Sequence, residues 1–368
     1  MGTGGGTTVL HSMQRWLPLS EQFVHALVTG TEHPGVVVSR FPLEHTDAFP
    51  FAPVHSLDRL VPRASARRHA LERRLVTVGL LALATRHRVG LVHHHHGYRM
   101  RDPEGLVIRR DLPFVVSFHG EDVTTYLPAN AEYYAGIYER LSAVIVPSQF
   151  LVGPTVALGV DADRVHVIPS GVDSSFFAPT PLPDVHPPEV VFVGRFVEKK
   201  GLDVLLTAWP RVREQVPEAV LRLVGFGPLE DLVRGAGPGV VVEPARSERR
   251  AEQVRDAIRR ASVVVTPSRT AVDGDAETLL LVNLEAQASG RPLVTTRHGG
   301  IPEFVSDGET AILVDENDAA GLADAITAVL LDGSLARSMA AAGPAWAARF
   351  DVKAGHAQVD ALYDRLLS

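Results

Sequence analysis

Cysteine is absent from all 368 residues. That excludes a disulfide framework, a thiolate zinc site and a cysteine nucleophile. Cys-free chains occur in every compartment, with a slight lean toward the cytosol. Long apolar runs are also missing. The longest, Leu75–Ala84, is half of what a bilayer-spanning helix needs. The Gly-rich start from Gly2 to Gly6 leads into polar-interrupted sequence without the apolar core of a signal peptide, so the expected location is cytoplasmic. Charge of neither sign dominates: 36 Lys+Arg against 43 Asp+Glu leave −7. This argues against a chain whose main task is coating nucleic acid, and no nucleic-acid partner is expected. Lysine is scarce beside arginine, which reads as a composition bias. What remains is ordinary: 45% hydrophobic and 21% charged residues exclude a disordered chain, a collagen and a coiled coil. The length suggests two domains.

Short apolar runs alternate with helical patterns. Val9-Leu10, Gly35–Ser39, Val89–Val92, Pro113–Phe118, Ala143–Val146 and Val165–Ile168 read as buried strands. Helices fit Ser20–Leu27, Ala64–Thr85 and Gln149–Leu158 between them. Ala178–Pro188 then places five prolines in eleven residues, which neither a helix nor a central strand accepts, and reads as a linker. The alternation restarts at Val190–Gly194 and continues through Val220–Val224, Val240–Val242, Val263–Thr266, Leu293–Thr295 and Ala311–Val314. Helices fit Leu202–Glu214, Glu248–Ala261, Leu279–Ser289, Ala319–Leu331, Ser334–Arg349 and Lys353–Leu367. The expectation is α/β: two doubly wound parallel-sheet domains in tandem, ligands binding beyond the carboxyl ends of the strands. We place the domains at 1–180, with a C-terminal helix at about 351–368 packing back on it, and 181–350.

Glu277 and Glu285 stand eight residues apart around an apolar stretch. As helix, eight residues cover about 12 Å. Glu277 would sit at the helix entrance and Glu285 two turns deeper, a span matching the sugar and ribose of a nucleotide-sugar. The helix N-terminus suits the diphosphate between them. Spacing alone fits equally a dipole-favoured Glu and a chance second one. In Phe192-Val-Gly-Arg195-Phe-Val-Glu-Lys199-Lys200-Gly201, Arg195 and Lys200 lie five apart across a strand-to-helix turn and are placed to converge on one anion. Lys199 reads as a decoy or helper.

The segment Gly274-Asp-Ala-Glu277 through His298-Gly-Gly-Ile-Pro-Glu303 resembles the donor-binding signature of the large retaining glycosyltransferase family with the GT-B fold, family 4. Its hallmark is a Glu-x7-Glu pair, and the nearest flavour is the colanic-acid and exopolysaccharide branch. The resemblance implies two Rossmann-like domains facing across a cleft, and a retaining transfer of a hexosyl unit from a nucleotide-diphosphate sugar, a UDP-sugar ahead of a GDP-sugar. The acceptor is a hydroxyl of a saccharide, a lipid-linked glycan or a small metabolite. Neither cofactor nor metal is implied. Glu277 is assigned the sugar hydroxyls, Glu285 the ribose, and Arg195 with Lys200 the diphosphate. Gly225 in Leu223-Val-Gly-Phe-Gly227 is a tight turn or a ligand wall; Pro244 faces the nucleobase; Thr278 and Leu279 line the donor. Thr278-Leu-Leu replaces the small residues that relatives carry after the first Glu, which bears on donor affinity.

In the first domain, Ser117-Phe-His119-Gly-Glu-Asp122 resembles the family's strand-end His-Gly-x-Asp. His119 would position the sugar and stabilise the oxocarbenium-like transition state, with Asp122 on the acceptor side. His93-His-His-His96-Gly-Tyr98 resembles its His-x-His-Phe-Gly. His93, His95 and Tyr98 are expected on the acceptor side rather than around a metal, since no acidic partner stands beside them in sequence. Trp16-Leu-Pro-Leu-Ser20-Glu21 looks like the branch's Leu-Pro-x-Ser-Glu, with Ser20 as helix N-cap and Glu21 beside it.

Asp161-Ala-Asp163 and Asp273-Gly-Asp275 spell the metal-binding Asp-x-Asp of the other glycosyltransferase fold and read as solvent turns. Arg63–Arg74 holds five arginines. It reads as a solvated helix, or as a face leaning on an anionic membrane. Oligomeric state is not legible. Rival functions are a nucleotide-sugar epimerase or a phosphorylase on the same fold, and a non-catalytic sugar-nucleotide-binding partner.

Overall fold

The structure is a computed structural model. It describes residues 7–18, 21–60, 69–184, 186–245 and 250–368. Ser20 and, of the Arg-rich stretch, Arg63, Arg67 and Arg68 lie outside these. The chain forms two compact units, residues 1–170 with 353–368, and residues 171–352.

The first unit holds a seven-stranded, wholly parallel sheet: β1 Thr8–Met13, β2 Gly35–Ser39, β3 Val54–Ser56, β4 Val89–His95, β5 Phe114–Ser117, β6 Ala143–Val146 and β7 Val165–Val167, in the order β3-β2-β1-β4-β5-β6-β7. Val-rich runs buried on both faces form the central strands, as a helix-covered parallel sheet requires. One strand was not legible. β3 has three half-buried residues at the sheet edge, too few and too mixed for a periodicity signal. β4 runs past Val92 to His95, so three of the four consecutive histidines are strand residues. The C-terminal helix Val352–Leu367 packs Val359, Leu362 and Tyr363 on Val9, Leu91, Val115 and Ile145.

The second unit holds six parallel strands: β8 Glu189–Arg195, β9 Val220–Phe226, β10 Val240–Pro244, β11 Val263–Thr266, β12 Leu293–Thr296 and β13 Ile312–Val314, ordered β10-β9-β8-β11-β12-β13. The Pro-rich segment is not a connection between the units. It belongs to the second, where the buried guanidinium of Arg291 donates to the carbonyls of Thr180, at 2.8 Å, and Pro181, at 3.0 Å. Prolines give up backbone N–H groups but keep carbonyls, and those fasten the segment. No single described helix is long and apolar enough to cross a membrane.

Candidate functional site

At the carboxyl edge of the second sheet, β8 ends at Arg195, and a short 3-10 turn, Glu198–Lys200, follows. Lys200 Nζ lies 2.8 Å from Glu277 Oε1. Lys199 Nζ lies 2.8 Å from Asp275 Oδ2 and 3.8 Å from Glu277 Oε1. Lys199 is therefore a full member of the cluster rather than a decoy, and Asp275 is not a solvent turn. Its partner in the Asp-x-Asp spelling, Asp273, is exposed and caps the Asp275 N–H. Asp161, by contrast, caps the N–H of Asp163 in an exposed turn, as expected.

Glu277 is buried at 7% exposure. Burial alone would raise its carboxyl, but Lys200 and Lys199 outweigh that and hold it down at about 2. Lys200 is lowered because its own burial outweighs the pull of Glu277, whereas Lys199, with two carboxylates beside it, is raised. Arg195 is exposed, and its side chain has no ion-pair or hydrogen-bond partner among the described residues. With the two lysines set against Glu277 and Asp275, its guanidinium is the uncompensated charge of the cluster.

Two residues outside the expected set fix Glu277. Its backbone N–H donates to His298 Nε2 at 3.0 Å, which makes that nitrogen the acceptor. The proton must then sit on Nδ1, which donates to Glu316 Oε1 at 2.7 Å. The Glu277 carbonyl accepts from Gly300 N–H at 3.1 Å. Gly299 has φ +53°, and a Cβ there would stand 2.0 Å from that carbonyl. The His-Gly-Gly run thus clamps the loop carrying Glu277. His298 lies 21 residues away in sequence, beyond any local pattern; its signal was its place in the motif.

The helix is shorter than the spacing implied. It spans Leu281–Ala288, and Leu280 before it is extended. Glu277 lies four residues ahead of the helix rather than at its entrance, so the length of eight helical residues does not measure its separation from Glu285. Thr278 is buried in a bend and Leu279 half-buried, in the loop between. Glu285 is inside the helix at 7% exposure. Burial pushes its carboxyl up to about 7, opposed only by Arg250.

Gly225 and Pro244 are register partners on β9 and β10, and Gly194 of β8 pairs with Gly225 from the other side. A Cβ on Gly225 would stand 1.9 Å from the Gly194 carbonyl oxygen. Strand contact alone therefore requires this glycine.

In the first unit the candidates gather at the ends of β4 and β5. His119, two residues past β5, donates its backbone N–H to Asp122 Oδ2 at 2.8 Å. Its Nε2 is buried with no partner among the described residues. Burial, with the cation of His96 beside it, lowers the ring to about 3 and keeps it neutral. His96, which sequence reasoning passed over, packs against His119 with the rings tilted by 52° and their centroids 4.6 Å apart. The fold also gives it acidic partners that do not stand beside it in sequence. Its Nε2 is 3.3 Å from Glu21 Oε2 and its Nδ1 is 3.7 Å from Asp122 Oδ2. These are ion-pair rather than hydrogen-bond distances. Burial opposes the charge, but the two carboxylates prevail and raise His96 to about 10.

Glu21 is the N-cap of the first helix, Gln22–Gly30, and its side chain makes no cap bond. Tyr98 packs against Tyr126 with the rings tilted by 56° and their centroids 4.3 Å apart. His93 and His95 share one face of β4, as alternation requires, but both rings are enclosed at 0% and 1% exposure. His93 places its nitrogens 2.6 Å from Tyr363 Oη and 2.7 Å from Ser117 Oγ. The expected acceptor wall thus has no open surface at these two residues.

Comparison with known proteins adds a family. Residues 3–176 match the model of Glycosyltransferase Family 4, and residues 187–332 that of Glycosyl transferases group 1. The chain is 32% identical over 222 residues to the putative colanic acid biosynthesis glycosyltransferase WcaL of Escherichia coli K12, covering 57% of this chain and 53% of that protein. It is 39% identical over 206 residues to the GDP-mannose-dependent alpha-(1-6)-phosphatidylinositol monomannoside mannosyltransferase of Mycolicibacterium smegmatis, covering 52% and 53%. The chain thus spans about half the length of these curated relatives. The crystal structure of Anabaena HepE with UDP and glucose superposes with a TM-score of 0.78 at 18% identity, covering 98% of this chain and 99% of that one. Sucrose-phosphate synthase from Thermosynechococcus elongatus gives 0.75 at 22%, with the same coverage. Those two likenesses speak for the fold, which is GT-B. One family model falls on each half of a chain built from two parallel-sheet units, and the protein belongs to the group 1, family 4 glycosyltransferases.

Proposed function

We propose that this protein is a retaining glycosyltransferase that moves a hexosyl unit from a nucleotide-diphosphate sugar to an acceptor hydroxyl. The observation that carries the reading is the cluster at the end of β8. An exposed, unpartnered Arg195 follows the strand, two lysines are held by Glu277 and Asp275, and Glu277 is fixed through its backbone by His298 and Gly300. A site with positive charge to spare, preorganised in a partly dry setting, suits an anion whose charge grows as a bond opens.

In this reading the diphosphate lies on Arg195, Lys199 and Lys200, and Glu277 turns its carboxylate to the sugar hydroxyls. Glu285 accepts from the ribose, opposite Arg250. The acceptor oxygen attacks the anomeric carbon on the face from which the nucleotide leaves. The glycosyl–phosphate bond breaks, and the departing phosphate oxygen takes the acceptor's proton. His119, neutral and unpartnered at Nε2, is assigned the transferred sugar. The three cations serve where other transferases use a divalent metal, so transfer needs neither Mg²⁺ nor Mn²⁺. Activity lost to EDTA and restored by Mn²⁺ would overturn that part.

For the nucleobase we retain uridine. The HepE structure holds UDP, whereas the mycobacterial relative is named for GDP-mannose. A glycan, a glycolipid or a secondary metabolite is the acceptor class. The test is a thermal-shift panel of UDP-, GDP-, ADP- and dTDP-sugars, followed by product analysis with the stabilising donor. The expected result is one selective stabilisation and transfer with retained anomeric configuration. Conversion of donor alone, dependence on inorganic phosphate, or binding without turnover over a broad acceptor panel would replace the reading with an epimerase, a phosphorylase or a binding partner.

A further inference from the structure

The sheet face beneath the C-terminal helix changes character along its strands. It begins aliphatic, with Val9, Leu91 and Val115 packed on Val359 and Leu362. Two residues further on, the same face carries His11 on β1, His93 and then His95 on β4, and Ser117 on β5. His11 is the register partner of His93, and His95 that of Ser117. All three imidazoles are buried, at 0%, 0% and 1% exposure. Each offers a nitrogen, and the three lie within 4.8 Å of one another.

We propose that His11, His93 and His95 form a site for a divalent transition metal of the zinc type, with a water as fourth ligand, and that the metal braces the C-terminal helix against the sheet.

Three observations support this. The donor set is right: three imidazoles and an open fourth position make a known zinc arrangement. The spacing is right: nitrogens at 2.0–2.1 Å from a tetrahedral zinc lie roughly 3.4 Å apart, and His11 Nδ1 already stands 3.1 Å from His95 Nε2. There is room for a water beside His95, which with Ser117 and His119 lines a cavity of about 40 Å³, and a water needs roughly 10–15 Å³.

Protonation is consistent. Burial lowers His11 to about 3 and holds His93 and His95 well below the ordinary imidazole range, so all three are neutral. Neutral imidazole is the ligating form. Metal binding replaces the His11–His95 hydrogen bond and one of the two hydroxyl contacts of His93. The other contact stays as the outer hydrogen bond that orients a metal-bound imidazole. If Tyr363 keeps it, the link runs from metal to His93 to the C-terminal helix. The site is confined to the first unit, and its argument is independent of the transferase reading.

The test uses the whole chain, made without a polyhistidine tag. Metal content is measured first. The protein is then stripped with a strong chelator, checked for folding by circular dichroism, and titrated with Co²⁺ alone and Zn²⁺ alone. The expected result is about one Co²⁺ per chain with the visible d–d absorption of a low-symmetry site, displaced by Zn²⁺, and a zinc-dependent rise in thermal midpoint. His11→Gln and His95→Gln lose both signals. His55→Ala, which disrupts the separate His55–His87 pair at 3.0 Å, keeps them. Folded, stripped wild type with no cobalt band and no zinc response would overturn the proposal, as would a band that persists in His11→Gln or vanishes in His55→Ala. Where the glutamine variants fail to fold, the wild-type titration decides.

Discussion

At the carboxyl edge of the second sheet, three cations meet two carboxylates and one guanidinium is left over. At the same edge of the first sheet, neutral imidazoles are buried and a single imidazolium, His96, is held between two carboxylates. One architecture thus carries opposite electrostatics. The cluster of the second unit carries net positive charge, whereas that of the first offers neutral imidazoles and keeps the His96 cation paired with Glu21 and Asp122. In the proposed reading this difference divides the work: a diphosphate needs spare cations, while a hydroxyl and a transferred sugar need orientation without competing charge.

The sharpest way to break the comparison is to remove charge from the second unit. Lys200→Ala should lower transfer by roughly 10²-fold or more, the scale of losing one charge-stabilising donor, with the fold checked by circular dichroism. Unchanged turnover would remove Lys200 from the diphosphate.

Next comes the paired cation of the first unit. His96→Gln leaves Asp122 and Glu21 without their partner, and chemical denaturation should show a loss of about 3 kcal/mol near pH 6. The sign follows from a raised folded pKa. The contribution is complete below about 6.5 and fades as pH rises through about 10. A difference between wild type and variant that grows with pH would contradict this.

A third comparison lies within the second unit. Glu277 is held down at about 2 and Glu285 up at about 7, so their effects on stability oppose. Glu277 stabilises the fold above its unfolded value, near 4.5, by about 3 kcal/mol, lost as pH falls toward 2. Glu285 costs a similar amount, absent below 4.5 and complete above 7. Glu285→Gln should therefore stabilise the unliganded protein above pH 7. It should also remove a rise in nucleotide affinity, about tenfold, that wild type shows as pH increases toward neutrality. Affinity flat with pH in wild type would exclude an ionised Glu285 from ribose binding.

The smallest expected effects separate the two Asp-x-Asp spellings. Asp163→Asn, in an exposed turn, should leave melting and turnover within error, whereas Asp275→Asn frees Lys199 and should lower turnover severalfold. Equal behaviour would return Asp275 to the surface.

The fold was legible because Val-rich strands recur between helical patterns, and a parallel sheet buried on both faces demands that texture. β3 escaped because three half-buried residues carry no period. Motif and chemistry together singled out Arg195, Lys200, Glu277, Glu285 and His119 from the sequence, and of these the structure sets Lys200 directly against Glu277. His298 escaped because its bond to Glu277 is made across β12 and a loop. Lys199 was discounted although the chain has only three lysines, two of them adjacent here; a scarce residue doubled at a strand end was a signal. His96 was passed over because its partners, Glu21 and Asp122, come from distant segments. The Pro-rich segment was misplaced because composition reports what a backbone avoids, not what its carbonyls accept.

Titration calorimetry of UDP and of uridine, on wild type and on Arg195→Ala, tests the central claim most directly, with GDP and guanosine in their place should the donor panel select guanine. Wild type should bind the diphosphate at least about 10²-fold more tightly than the nucleoside, and Arg195→Ala should lose most of that margin while its affinity for the nucleoside stays the same. A margin equally large in the variant, or absent in wild type, would contradict the assignment of the diphosphate to this cluster.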